Sequence, residues 1–433
     1  MDLESRITDI ANSENFSLAD FFGLEGANLQ DRVRDFSEYM DFHTKKGRLL
    51  YGREIVGAPG RSVRVRDPRT GDVRDMLMFG SNDYLGLTTD PRVVRGVIEA
   101  VQANGVGMGG PPLLNGTSLM HRELEEELSA LKQKDDTLIF ASGFQANLGW
   151  LTALLRSGDV LIYDELNHAS LYDGIKLLRS GVRFKAVRFR HNDVAHLETI
   201  LQQHQDSIGT KNQIFVAVEG VYSMDGDLAP LDQIAQLKDR YDFNLFVDDA
   251  HGTGVMGARG AGTAEHFGVE RAVDLSLGTF SKTFGVTGGF ISAQRDVVKY
   301  MRFFARSYMF SAHIPQATAA AVRAGLRVMA EEPERLRRLH VNAARVRAGL
   351  NALGFNVNSP SAILPVPIPE RIDIRNVSGR LDQMGIFANS IEYPAVHRSQ
   401  QRIRLSIMAT HTDADLDRLL EAFSQLTREF DLV

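Results

Sequence analysis

The sequence predicts an α/β protein, with a mainly parallel sheet covered by helices on both faces, followed by a smaller α+β domain. Three observations predict it. Short apolar runs at 137–141, 160–163, 184–187, 214–218, 245–248, 275–277 and 289–291 alternate with helical stretches such as 145–156, 171–180 and 231–240. Strands buried on both faces read as such short apolar runs. Chemically useful polar residues follow several of them, where ligands sit in open α/β sheets. After Pro315 the texture changes, to long helical segments and then mixed short strands and helices.

Taken in order, residues 1–60 read as an N-terminal arm. It is polar, with scattered aromatics (Phe16, Phe21, Phe22, Phe36, Phe42), and suggests one or two helices around Gly23-Leu24-Glu25-Gly26. An arm packed on the body or on a second subunit is expected; a lid or docking segment is the alternative. Residues 61–312 read as the large domain. It opens with short strands at 62–66 and 75–79 around the turn Asp67-Pro68-Arg69-Thr70-Gly71. Residues 313–433 read as the small domain: helices at 317–330 and 334–353, strands at 355–357 and 363–366, a helix near 377–384, a strand at 402–407 and a helix at 413–428. Thr412 is placed to cap that last helix.

A chain of 433 residues is long enough for a large core and more than one domain. With 43% hydrophobic and 24% charged residues it has an ordinary globular composition. A net charge of −6 gives no case for nucleic-acid binding. The absence of cysteine excludes disulfides, thiolate metal sites and cysteine nucleophiles. The start, Met1-Asp2-Leu3-Glu4, lacks the basic and apolar regions of a secretory signal. No run of 18 apolar residues and no clear basic amphipathic helix suggests a membrane anchor. A cytoplasmic protein is expected.

Four segments look chemical. In Gly278-Thr279-Phe280-Ser281-Lys282-Thr283-Phe284-Gly285 a lysine follows a strand amid glycines and hydroxyls. Glycines admit close backbone approach and hydroxyls suit a phosphate. A neutral lysine there can form a Schiff base with a carbonyl cofactor. A lysine on a nucleotide phosphate is the other reading, but the spacing does not match a P-loop. In Phe246-Val247-Asp248-Asp249-Ala250-His251 an apolar strand ends in acids and a histidine. Asp248 suits a pyridine nitrogen, since a protonated ring is the better electron sink. A metal site would need further ligands, and no matching set appears. In Tyr163-Asp164-Glu165-Leu166-Asn167-His168 the histidine could stack on a flat cofactor or donate a proton, or be structural. In Glu219-Gly220-Val221-Tyr222-Ser223 the serine could bond a cofactor oxygen or only close a turn.

Further motifs are Ser81-Asn82-Asp83-Tyr84-Leu85-Gly86-Leu87, Leu114-Asn115-Gly116-Thr117 with His121 and Leu124-Glu125, Ser142-Gly143-Phe144-Gln145-Ala146-Asn147, and Arg402-Ile403-Arg404-Leu405 followed by Ala409-Thr410-His411-Thr412. Together and in this order, the segments resemble the α-oxoamine synthases, over about residues 45–430. These are fold-type I enzymes of pyridoxal 5'-phosphate (PLP), and the chain is most similar to serine palmitoyltransferase-like members. The resemblance implies an aspartate aminotransferase-like fold with a seven-stranded sheet, and PLP as cofactor. It implies decarboxylative condensation of an amino acid with an acyl thioester, and a homodimer.

By the resemblance, Lys282 is the Schiff-base lysine and the base, Asp248 the partner of the pyridine nitrogen, and His168 the residue stacked on the ring. His251 and Ser223 lie near the phenolic oxygen. Thr279 and the backbone of Gly143 and Phe144 contact the phosphate, as does Ser311 from the other subunit. Asn82 and Arg404 clamp the substrate carboxylate, with Arg402 the nearby alternative, because an arginine fork pairs two oxygens. Serine with a long-chain acyl-CoA is the leading substrate expectation. Glycine or alanine, a carrier-protein thioester, and 8-amino-7-oxononanoate synthase or glycine C-acetyltransferase activity are alternatives. So, from other classes, are an aminotransferase and a catalytically idle partner subunit. Two departures bear on acyl specificity. Pro111-Pro112 stands where many relatives have Ser-Arg, and Glu392-Tyr393-Pro394-Ala395-Val396-His397 stands where bacterial serine palmitoyltransferases often carry a proline-rich loop.

Overall fold

The computed structural model describes residues 18–433, except Leu24, Leu49, Pro68, Arg69 and 206–210. Phe16 and the Pro68-Arg69 part of the expected turn lie outside the described residues.

Seven strands form the main sheet: β1 (Asp136–Phe140), β2 (Val160–Asp164), β3 (Lys185–Phe189), β4 (Ile214–Glu219), β5 (Asn244–Asp248), β6 (Leu275–Thr279) and β7 (Gly289–Ala293). Their order is β1-β7-β6-β5-β4-β2-β3. Only β7 is reversed, pairing antiparallel with β1 and β6, while β6 to β3 pair in parallel. The segments after β1, β2, β4, β5 and β6 therefore leave from one edge of the sheet. Alternation of side chains gives each strand two buried faces. Along β2, Leu161 and Tyr163 join the core cluster around Trp150, whereas Val160 and Ile162 join the cluster on the opposite face. Trp150 stacks on Phe246 of β5 at 4.3 Å, which ties the helix Gly143–Leu154 to the centre of the sheet.

By contacts the chain divides into two units. The larger takes residues 82–340 and 360–362; the smaller takes residues through 81, 341–359 and 363–433. This grouping differs from the three-part sequence division: the arm and residues 61–81 fall in the smaller unit, and residues 313–340 and 360–362 in the larger. The helix Gln316–Glu331 stays with the larger unit because it packs on the helix Pro91–Asn104, where Gly96 lets Ala320 and Ala324 approach. The strands Ser62–Arg66 and Val73–Met78 belong to the smaller unit, with Val73–Met78 paired in parallel to Ile386–Phe387.

In the smaller unit a second sheet has Arg402–Ser406 between Ile363–Pro367 and Asn389–Ile391. The helix Leu29–Lys45 of the arm buries Tyr39, whose hydroxyl accepts a hydrogen bond from Arg375 Nη1 at 3.0 Å. Thr412 caps the helix Asp413–Phe430 in a reciprocal box with Asp415. The expected strand at 355–357 does not form. Asn351 instead bonds both the N–H and the carbonyl of Val357, taking the hydrogen bonds a neighbouring strand would supply. Among the described residues, no helix is long and apolar enough to cross a membrane.

Candidate active site

A cavity of about 250 Å³ lies at the carboxyl edge of the sheet. Its wall includes Gly143, Phe144, His168, Ser223, Asp248, Thr279 and Lys282, so seven of the expected residues meet there. Each comes from a segment that follows or ends a strand of the parallel set.

Asp248 ends β5 and is almost fully buried. Its Oδ2 accepts from Asn147 Nδ2 at 2.8 Å, and its Oδ1 from the N–H of Ala250 at 3.2 Å. Asn147 donates its second amide hydrogen to Ser170 Oγ at 2.8 Å and accepts from Trp150 Nε1 at 3.2 Å, so its orientation is fixed. Ser170 Oγ lies 2.7 Å from His168 Nδ1, and the Ser170 N–H donates to the same nitrogen at 3.2 Å. An accepting Nδ1 assigns the imidazole proton to Nε2. Burial holds His168 below the usual imidazole range; Asp248 opposes that and Lys282 adds to it. One chain of polar contacts thus joins the carboxylate to the histidine.

The helix Gly143–Leu154 begins at this cavity, with Ser142 as its N-cap accepting from Gln145 N at 3.1 Å. A helix N-terminus is suited to an anion. A Cβ on Gly143 would lie 3.2 Å from Thr279 Cβ and Oγ1, so a larger residue would crowd the hydroxyl. Thr279 Oγ1 lies 2.9 Å from Ser281 Oγ. Lys282 follows in a turn closed by the Gly285 N–H on the Lys282 carbonyl at 2.9 Å.

Among the described residues, His251, Asn82, Ser311 and Arg404 do not form part of this wall. His251 is buried, and its Nδ1 meets Tyr84 OH at 2.7 Å; that hydroxyl also bonds Asn82 Oδ1 at 3.2 Å. Ser311 Oγ accepts from Gln145 Nε2 at 3.4 Å. Arg404 belongs to the smaller unit, buried on Arg402–Ser406, with Nη1 3.3 Å from Ser406 Oγ.

Sequence reasoning assigned no role to Asn147, Ser170, Tyr84 or Glu219, nor to a buried pair behind the site. Lys132 Nζ donates to Asp249 Oδ2 at 2.8 Å, Thr253 Oγ1 at 2.8 Å and the Ala261 carbonyl at 2.6 Å. Asp249 also accepts from Thr263 Oγ1 at 2.8 Å. The packing is tight enough that a Cβ on Gly262, which has φ +113°, would lie 1.6 Å from Asp249 Oδ2. Lys132→Met leaves a buried carboxylate without its cation and is expected to cost about 3–5 kcal/mol, seen as a lower urea midpoint. Adding Asp249→Leu should recover part of the loss.

His191 bridges two further carboxylates, with Nδ1 3.0 Å from Asp164 Oδ1 and Nε2 2.8 Å from Asp227 Oδ2. Burial lowers its pKa, but the two carboxylates outweigh burial and raise it from 6.5 to about 10. The folded value lies above the unfolded one. The stabilisation is therefore complete below about pH 6.5, declines as pH rises, and is gone above about pH 10. The Tm advantage of wild type over His191→Gln should shrink across that window.

The model of the aminotransferase class I and II family matches residues 74–423. An 8-amino-7-oxononanoate synthase of Exiguobacterium sibiricum is 40% identical over 365 residues, which are 84% of this chain and 92% of that protein. A serine palmitoyltransferase of Sphingobacterium spiritivorum is 37% identical over 408 residues, 94% of this chain and 98% of that one. The chain is an α-oxoamine synthase of the class I and II aminotransferase family. A serine palmitoyltransferase of S. paucimobilis, solved with bound PLP–myriocin aldimine, aligns with a TM-score of 0.85 at 29% identity, covering 94% of this chain and 100% of that one. As an α-oxoamine synthase the protein is a PLP-dependent acyltransferase, and its aspartate aminotransferase-like fold is the one expected.

Proposed function

We propose that this α-oxoamine synthase condenses serine with a long-chain acyl-CoA, releasing carbon dioxide and a 2-amino ketone, with Lys282 as anchor and base. The observation that carries the site assignment is the convergence of Lys282, Asp248 and the Asn147–Ser170–His168 chain on one cavity. The donor set fits PLP: an amine for its carbonyl carbon, a buried carboxylate for its ring nitrogen, and a helix N-terminus with Thr279 and Ser281 for its phosphate. When bound, PLP supplies an electron sink for negative charge at the amino acid's α-carbon.

The chain's own residues do the rest. Lys282 Nζ would hold the cofactor at its carbonyl carbon and, as a free amine, would remove the α-proton of the amino acid. Asp248 would pair with the cofactor's ring nitrogen and favour its protonated form. His168 would lie against the cofactor ring, with its Nε2–H left to polarise the thioester carbonyl. Ser223 and His251 serve the phenolic oxygen. Thr279, the Gly143 and Phe144 backbone, and Ser311 of a partner subunit in a homodimer hold the phosphate. Asn82 and Arg404 bind the substrate carboxylate.

Serine is favoured by the serine palmitoyltransferase relatives that match along most of both chains. The 40% identity to a relative of another specificity supports 8-amino-7-oxononanoate synthesis as the second reading. Thiol release from acetyl-, pimeloyl-, succinyl- and palmitoyl-CoA, crossed with serine, glycine and alanine, decides between them. Release that needs both serine and palmitoyl-CoA is the expected result. Release with alanine and pimeloyl-CoA gives the second reading. No release with any pair, while the cofactor's absorption still shifts with an amino acid, points to a carrier-protein donor. Keto acid formation without a thioester points to transamination.

A further inference from the structure

Glu219 ends β4 and stands opposite Asp248 in the β4–β5 register, so two carboxyl groups occupy neighbouring strand ends beside Lys282. Like charges directly opposite on paired strands repel. The surroundings of the two groups are unequal. Asp248 accepts a side-chain amide hydrogen at 2.8 Å and a backbone N–H at 3.2 Å, one on each oxygen. Glu219, 4% exposed, accepts the Ser223 N–H on Oε2 at 3.3 Å, and its Oε1 is buried without a hydrogen-bond partner among the described residues. An ionised oxygen in that position would be a buried charge with nothing to solvate it, whereas a protonated one is a hydrogen-bond donor beside the cavity.

We infer that Glu219 is a neutral carboxylic acid in the folded enzyme, a positioning residue that leaves Asp248 as the single carboxylate charge of the pair and offers its O–H toward the cofactor site. The inference rests on the proposed placement of PLP on Lys282. The other titratable groups around Glu219 are Lys282, Asp164, Tyr222 and His168. Burial pushes the Glu219 carboxyl well above its ordinary range and Asp248 pushes it further, with Lys282 opposing both. Two carboxyls whose environments drive their protonation apart take different chemical roles. Here Asp248 takes the charge that pairs with a protonated ring nitrogen. A second negative charge from Glu219 would instead stabilise the proton on the Lys282 linkage and shift its titration upward.

The test is an absorbance titration of the PLP-loaded protein through the neutral and alkaline range, comparing wild type with Glu219→Gln and Glu219→Leu. Gln is the isostere of the protonated acid, and Leu removes any charge even if the Gln variant fails to fold. The expected result is an unchanged titration midpoint in whichever variant folds, and loss of a protonated-carboxyl infrared band relative to wild type. A midpoint that falls in the variants means Glu219 carried a negative charge beside Lys282 and overturns the inference. A wild-type protein whose PLP band depends on a lysine other than Lys282 overturns the site assignment instead, so the two failures are distinguishable.

Discussion

Replacing Lys282 with alanine is expected to abolish amino-acid-dependent thiol release, with a loss of at least about ten-thousand-fold, because one amine serves as both anchor and base. The loss should be chemical rather than structural. Lys282 lies in the wall of the cavity, in a turn held by the Gly285–Lys282 and Phe280–Gly288 backbone bonds, and none of these needs the side chain. The urea midpoint of the apoprotein should therefore stay close to wild type, while the absorption band of the lysine-bound cofactor disappears. Burial would still depress His168, but without the contribution of Lys282 its pKa should move back up. A small added amine should restore part of the proton-transfer rate without restoring the band. Full activity in Lys282→Ala would remove the assignment of both roles.

The sequence made the sheet legible because period and punctuation agreed along the chain. Residues 160–163 are apolar without alternation, and the fold buries them on both faces, in two separate clusters. The rule that ligands gather beyond the carboxyl ends of parallel strands points to His168, Ser223, Asp248 and Lys282, while Gly143 and Thr279 were legible only through the resemblance. What stayed hidden was long-range pairing. Nothing near Lys132 in the chain indicates that it meets Asp249, which is 117 residues away. Asn147 stood in a quoted motif, but its role as the orienting donor of Asp248 depends on a contact across 101 residues. Val357 misled for a local reason, since Phe355 and Val357 on either side of Asn356 suggest a strand while the Asn351 amide takes up the Val357 backbone bonds. The division into units followed contact rather than chain order, because the small residues Gly96, Ala320 and Ala324 hold the helix Gln316–Glu331 against the larger unit.

Asp248→Asn separates charge from shape at the centre of the site. The asparagine can turn its carbonyl oxygen toward Asn147 Nδ2, so the bond that fixes Asn147, and through it Ser170 and His168, can persist, while its amide nitrogen faces the Ala250 N–H and that 3.2 Å bond is lost. The fold should hold, with a urea midpoint lowered only by the one lost bond, about 1 kcal/mol. What is lost is the negative charge that would stabilise a protonated ring nitrogen, in a place where Asp248 is 8% exposed and solvent cannot substitute. Removing one partner of a buried ion pair costs about 3–5 kcal/mol, on the order of 10²- to 10⁴-fold. That loss should appear in the rate of α-proton exchange from serine, measured without any thioester, as well as in overall thiol release. Asp248→Ala should behave differently. It also removes the acceptor of Asn147, whose buried amide is left unpaired at about 1–3 kcal/mol. The alanine variant should therefore lose stability and cofactor retention together with rate, whereas the asparagine variant should lose mainly rate. If both variants lose the same amount in each assay, the Asp248 carboxylate matters for packing rather than for its charge.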